Sequence, residues 1–142
     1  MNDEIYNHAI KLLAKREYST SRLKNRLERT FKIVPESIID RLTEKKYLDD
    51  KRFSETYVRN RKAMGRRRVG YLLQQHGVDA MIIDQVLEDM KWPSLGDALV
   101  AKMDQLKIHP PLSVREASRL YRVLERLGYE GEAITDELER LL

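Results

Sequence analysis

Tyr47-Leu48-Asp49-Asp50-Lys51-Arg52-Phe53 opens the stretch that decides how this chain folds. It continues through Tyr57-Val58, Arg61 and Gly65 and closes on Val69, Leu73 and Gly77-Val78. Apolar residues return here every third or fourth position, as one side of an α-helix requires, and two glycines punctuate the run. Asp49 or Asp50 caps a helix that carries Phe53, Tyr57 and Met64 along one side. Gly65 interrupts it. A second helix then buries Val69, Leu72, Leu73 and His76 and stops at Gly77, a natural left-handed residue after a helix end. The same stretch is basic: residues 51–77 hold eight Lys/Arg against one acid, Glu55.

The helical spacing extends outward in both directions. Upstream, a helix from about Asp3 to Arg16 buries Ile5, Ala9, Leu12 and Leu13. Ser19 caps a helix carrying Leu23, Leu27 and Phe31, and Pro35, suited to a first helical position, opens one with Ile38, Ile39 and Leu42. Downstream, Asp79 begins a helix with Ile82, Ile83, Val86 and Leu87. Trp92-Pro93-Ser94 starts another (Leu95, Leu99, Met103, Leu106), which His109-Pro110-Pro111 breaks. Ser113 caps the next (Val114, Ala117, Tyr121, Leu124), ending at Leu127-Gly128-Tyr129, and a last helix carries Ile134, Leu138 and Leu141. No turn chemistry suggests paired strands. The chain therefore reads as all-α: nine helices in three tandem three-helix repeats, 1–48, 49–91 and 92–142, with Ile38, Ile82 and Ile134 as equivalent positions. One such repeat buries too little surface to stand alone, so the repeats are expected to stack into an elongated, curved array. One compact nine-helix bundle is the alternative.

Composition agrees with an extended, well-solvated molecule. Charged residues make up 35% of the 142 positions and aromatics only 7%. No apolar run is long enough to cross a bilayer, and the start has no basic segment of the signal-peptide kind. Absence of cysteine excludes disulfides and thiolate metal sites and suits a reducing compartment. The expectation is a soluble, cytoplasmic monomer. Its net charge of +4 conceals an asymmetry. Residues 1–50 carry eleven bases and nine acids, whereas residues 78–142 carry eight bases and thirteen acids.

The basic centre supplies the candidate binding residues. At 100° per residue, Arg52, Arg59 and Lys62 share one face of the fourth helix, while Arg61 falls on the apolar side, nearly in line with Asp50. Arg61 is thus read as half-buried in an ion pair, and Arg59 and Lys62 as exposed. Arg66, Arg67 and Arg68 enter the fifth helix, where three cations oppose the helix dipole and call for an external anion. Arg67, Tyr71 and Gln74 project opposite the Val69/Leu73 stripe, and an exposed tyrosine beside arginine suits a nucleic-acid backbone or an acidic protein groove. Arg22, Arg26 and Arg29 form a further stripe on the second helix, diluted by Glu17 and Glu28 and read as a solvated face.

Nothing here resembles catalytic machinery. There is no glycine-rich phosphate loop, and His8, His76 and His109 are far apart and lack metal-binding helix spacing. Asp49-Asp50 is explained by helix capping, and the serines have no nearby base. No enzymatic activity, cofactor or metal is expected.

Beyond these readings, the Tyr47–Gly77 stretch resembles the central motif of the RecX family, bacterial regulators of the RecA recombinase. Leu12-Leu13-Ala14, Arg16-Glu17-Tyr18-Ser19 and Leu23…Leu27 carry the likeness upstream; Leu124…Leu127-Gly128-Tyr129 and Ile134 carry it downstream. Lys46, Arg66, Gly70 and Leu72 depart from that family's usual Gly, Pro, basic residue and Glu. The resemblance implies a curved array of three-helix repeats that binds RecA filaments on DNA. Such proteins lie along the filament groove and inhibit filament growth, ATP hydrolysis, strand exchange and cleavage of SOS repressors. Here the basic surface centred on Arg59, Lys62, Arg66, Arg67, Arg68 and Tyr71 is expected to contact the filament. Two other functions compete: a RecA-independent protein that coats single-stranded DNA, and a helix-turn-helix transcription factor reading bases with the fifth helix. For the latter, Gly70 and arginines clustered at the helix start suit phosphate contact better than base readout.

Overall fold

The computed structural model describes residues 2–142. Among them the backbone forms nine α-helices and one short 3-10 turn, with no strand: α1 (Asn2–Lys15), α2 (Thr20–Phe31), α3 (Glu36–Glu44), α4 (Asp50–Asn60), the turn (Lys62–Met64), α5 (Arg66–Gln75), α6 (Ala80–Asp89), α7 (Leu95–Leu106), α8 (Val114–Leu127) and α9 (Gly131–Glu139). The fold is all-α. None of these helices is long and apolar enough to cross a membrane.

Local chemistry accounts for the helix ends. Ser19, Ser94 and Ser113 each accept a hydrogen bond from the backbone N–H three residues on, and Glu116 completes a capping box with Ser113. Asp49 caps α4, its Oδ1 accepting from the Arg52 N–H at 3.1 Å. Pro35 stands one residue before the helix it was expected to open. Left-handed residues close four helices, Lys46, Gly77, Lys107 and Gly128, with φ of 63°, 75°, 58° and 105°. In each case the residue after it donates its N–H to a carbonyl five positions back, the Schellman arrangement.

Other expectations need correction. The fourth helix ends at Asn60, so Met64 lies in the turn and is exposed; it does not continue the Phe53/Tyr57 side. The buried side of α4 is instead formed by Phe53, Ser54 and Val58. Val114, in the first turn of α8, is 77% exposed, whereas Leu120 is fully buried, because the core stripe of α8 runs through Leu120, Leu124 and Ile134 of α9. Leu12, Leu13, Leu72 and Ile82 are half-buried.

The chain divides into two compact units. One comprises the residues up to Asn60 with Gly70–Met90; the other comprises Arg61–Val69 with Lys91–Leu142. In the first, α1–α3 enclose a core of Ile5, Ala9, Leu23, Leu27, Ile38 and Leu42, and α4 packs on α6. In the second, α7–α9 enclose Leu99, Met103, Leu120, Leu124, Ile134 and Leu138. The boundary falls within α5.

Candidate functional site

The six candidate residues fall into two sets. Arg59, at the end of α4, and Tyr71, on α5, belong to the first unit, and both are exposed. Lys62, Arg66, Arg67 and Arg68 belong to the second. The three arginines are exposed, but Lys62 is half-buried. Because α4 stops at Asn60, Lys62 does not extend the Arg59 face. It lines a cleft of about 210 Å³ with Asp97, Lys102, Gln105 and Tyr129.

The basic face expected on α4 is further reduced by Arg52. Its guanidinium donates to the Lys46 and Tyr47 carbonyls at 2.8 and 3.3 Å and pairs with Glu17 at 3.2 Å. Arg52 therefore ties the end of α3 to α4. Asp50 is likewise occupied within the first unit: its Oδ1 accepts both the Thr20 N–H at 2.8 Å and the Thr20 hydroxyl at 3.0 Å, beside the start of α2. Arg61 is half-buried, as expected, but lies beyond the helix end.

Two helix-end joints explain the placement of the arginine triplet. In the first unit, the C-terminal end of α5 meets the N-terminal end of α2. The Ser19 hydroxyl donates to the His76 carbonyl at 2.6 Å and Arg22 donates to the Gln75 carbonyl at 3.0 Å. A Cβ at Gly77 would lie 2.5 Å from the Ser21 side chain. In the second unit, the C-terminal end of α8 meets the N-terminal end of α5 in the same way. A Cβ at Gly128 would lie 2.9 Å from the Cβ of Arg67, and one at Gly65 would overlap the Leu127 carbonyl. Ser21 and Arg67 are each the second residue of their helix. The joint thus occurs twice, each time with a left-handed glycine where no side chain fits.

This geometry revises the electrostatics of Arg66-Arg67-Arg68. The carbonyl end of α8 carries the negative end of its dipole to the chain just before the triplet, so part of the compensating negative potential is internal. Arg67 and Arg68 make no ion pair among the described residues and keep their guanidinium groups available. Gly70 also has a structural reason: a Cβ there would lie 3.0 Å from Leu87 Cδ1, so its absence lets α5 approach α6.

Sequence reasoning missed one feature. Arg115, Arg119, Arg122 and Arg126 recur at i, i+4, i+7 and i+11 along α8, and all four are exposed. The spacing is legible in the sequence, but the acidic balance of residues 78–142 hides it.

A family model described as "RecX, second three-helix domain" matches residues 49–87. The regulatory protein RecX of Halorhodospira halophila is 30% identical over 139 residues, covering 94% of this chain and 85% of that protein. That of Chlorobium phaeobacteroides is 28% identical over 141 residues, covering 96% and 92%. The crystal structure of RecX from Lactobacillus salivarius shares the fold with a TM-score of 0.75 at 19% identity, over 98% of this chain and 97% of that one.

Proposed function

Since this chain belongs to the RecX family of regulatory proteins, we propose that it is a non-enzymatic negative regulator of the RecA recombinase. It acts in the cytoplasm as a monomer built of three-helix repeats, 1–48, 49–91 and 92–142. It binds RecA filaments on single-stranded DNA in the filament groove and restrains their extension, ATP hydrolysis, strand exchange and co-protease activity. The contact residues are Arg59, Lys62, Arg66, Arg67, Arg68 and Tyr71. The observation that carries this reading is the concentration of positive charge in residues 51–77, with Arg67 and Arg68 exposed at the start of α5. Bridging successive filament subunits is how one molecule would silence many.

The test is RecA's ATPase on single-stranded DNA, titrated with this protein well below one copy per RecA subunit. Strong inhibition at such ratios is expected. Replacing Arg66, Arg67 and Arg68 with Glu should abolish it while circular dichroism stays unchanged. Inhibition only at amounts that cover the DNA would point instead to a coating protein that needs no RecA.

A further inference from the structure

The outer face of α8 is organised as a line of charge. Taking Arg115 as reference and 100° per residue, Arg119, Arg122 and Arg126 lie within roughly 40° of it, opposite the buried Leu120 and Leu124. From Arg115 to Arg126 the line is about 16 Å long at 1.5 Å per residue. None of the four guanidinium groups pairs with an acid among the described residues.

The two acids of α8 are turned to other tasks. Glu116 accepts the Ser113 N–H at 3.0 Å in the capping box, and Glu125 accepts the Tyr121 hydroxyl at 3.3 Å. On α9, Glu139 lines the same shallow cleft as Arg122, which leaves Arg115, Arg119 and Arg126 the least neutralised. The line also ends near the arginine triplet, because Gly128, two residues past Arg126, abuts Arg67.

We infer that this face is a second contact tract, which takes the phosphodiester backbone of DNA. A row of unpaired carboxylates on a protein would have to bear its own repulsion, whereas a phosphodiester strand supplies a row of anions through its covalent structure. A line of about 16 Å is long enough to meet several consecutive phosphates of one strand. The one aromatic of α8, Tyr121, is half-buried and donates to Glu125, so the face holds the backbone without stacking on bases, and contact is independent of sequence. The tract is distinct from the surface assigned above and does not depend on RecA.

The test uses the full-length protein alone with a fluorescein-labelled oligothymidylate, following anisotropy across a range of salt. The variant R115A/R119A/R126A should weaken binding about tenfold or more and reduce the slope of log affinity against log salt by about 2, at ~0.7 per lost phosphate contact. Alanine favours helix and these positions are exposed, so circular dichroism should not change. The variant R115K/R119K/R126K should retain the natural slope. Failure of the natural protein to bind the oligonucleotide, or an alanine variant with unchanged affinity and slope, overturns the proposal. So does an alanine variant that keeps DNA binding but loses RecA inhibition, which would assign the stripe to a carboxylate surface. None of these results depends on Arg66, Arg67 or Arg68, so the regulator reading is tested separately.

Discussion

Lys46 holds a backbone conformation that glycine adopts without strain. Its φ of 63° closes α3, and a left-handed non-glycine residue costs roughly 1–2 kcal/mol. Part of any gain from glycine is lost to the greater freedom of the unfolded chain. Lys46→Gly should therefore stabilise by about 0.5–1 kcal/mol, read as a higher urea midpoint with unchanged slope. Asp50 is the opposite case, an exposed-looking acid whose carboxylate serves two donors of Thr20. Asp50→Ala should cost about 1–3 kcal/mol in the same titration. The sequence makes Asp50 a helix-end candidate, but only contacts thirty positions away along the chain separate a local cap from a tie between helices.

At the scale of elements, the middle helices α2, α5 and α8 carry the organisation. The C-terminal end of α5 docks on the start of α2, and that of α8 on the start of α5, so that carbonyl ends face N–H ends and dipoles are matched. Gly65→Ala meets both a left-handed φ of 87° and the Leu127 carbonyl, and should destabilise by at least about 2 kcal/mol. Gly128→Ala should destabilise too, against Arg67, and both effects are measurable by thermal melting. In the variant R67E/R68E, anions at the start of α5 match its own dipole but face the carbonyl end of α8. Those effects oppose, so stability should change by less than about 1 kcal/mol while binding is lost.

For the molecule as a whole, the net charge of +4 conveys little, because function follows the distribution. The unit containing Arg61–Val69 and Lys91–Leu142 holds both the arginine triplet and the α8 stripe, amid most of the acids of the C-terminal third. If filament contact is largely electrostatic, RecA inhibition at low ratios should weaken steeply as salt rises, with the half-inhibiting concentration following a straight line on logarithmic axes. An inhibitory concentration indifferent to salt would remove the basic residues from the contact.

The sequence by itself determined the all-α class, the number and order of the helices, and their serine and glycine ends. These follow from periodicity and capping, which act over four or five residues. It also revealed a basic centre, since charge density needs no third dimension. Only the tertiary structure decided that α4 stops at Asn60, so that Lys62 leaves the Arg59 face, and that Gly65 sits against Leu127. Only the fold showed Arg52 and Arg22 to be structural, since their acceptors are backbone carbonyls whose placement no local rule predicts. The α8 stripe lay in plain view at i, i+4, i+7 and i+11. Burial of Leu120 and Leu124 on the opposite side, and the engagement of Glu116 and Glu125 elsewhere, were needed to show that this face is open and positive.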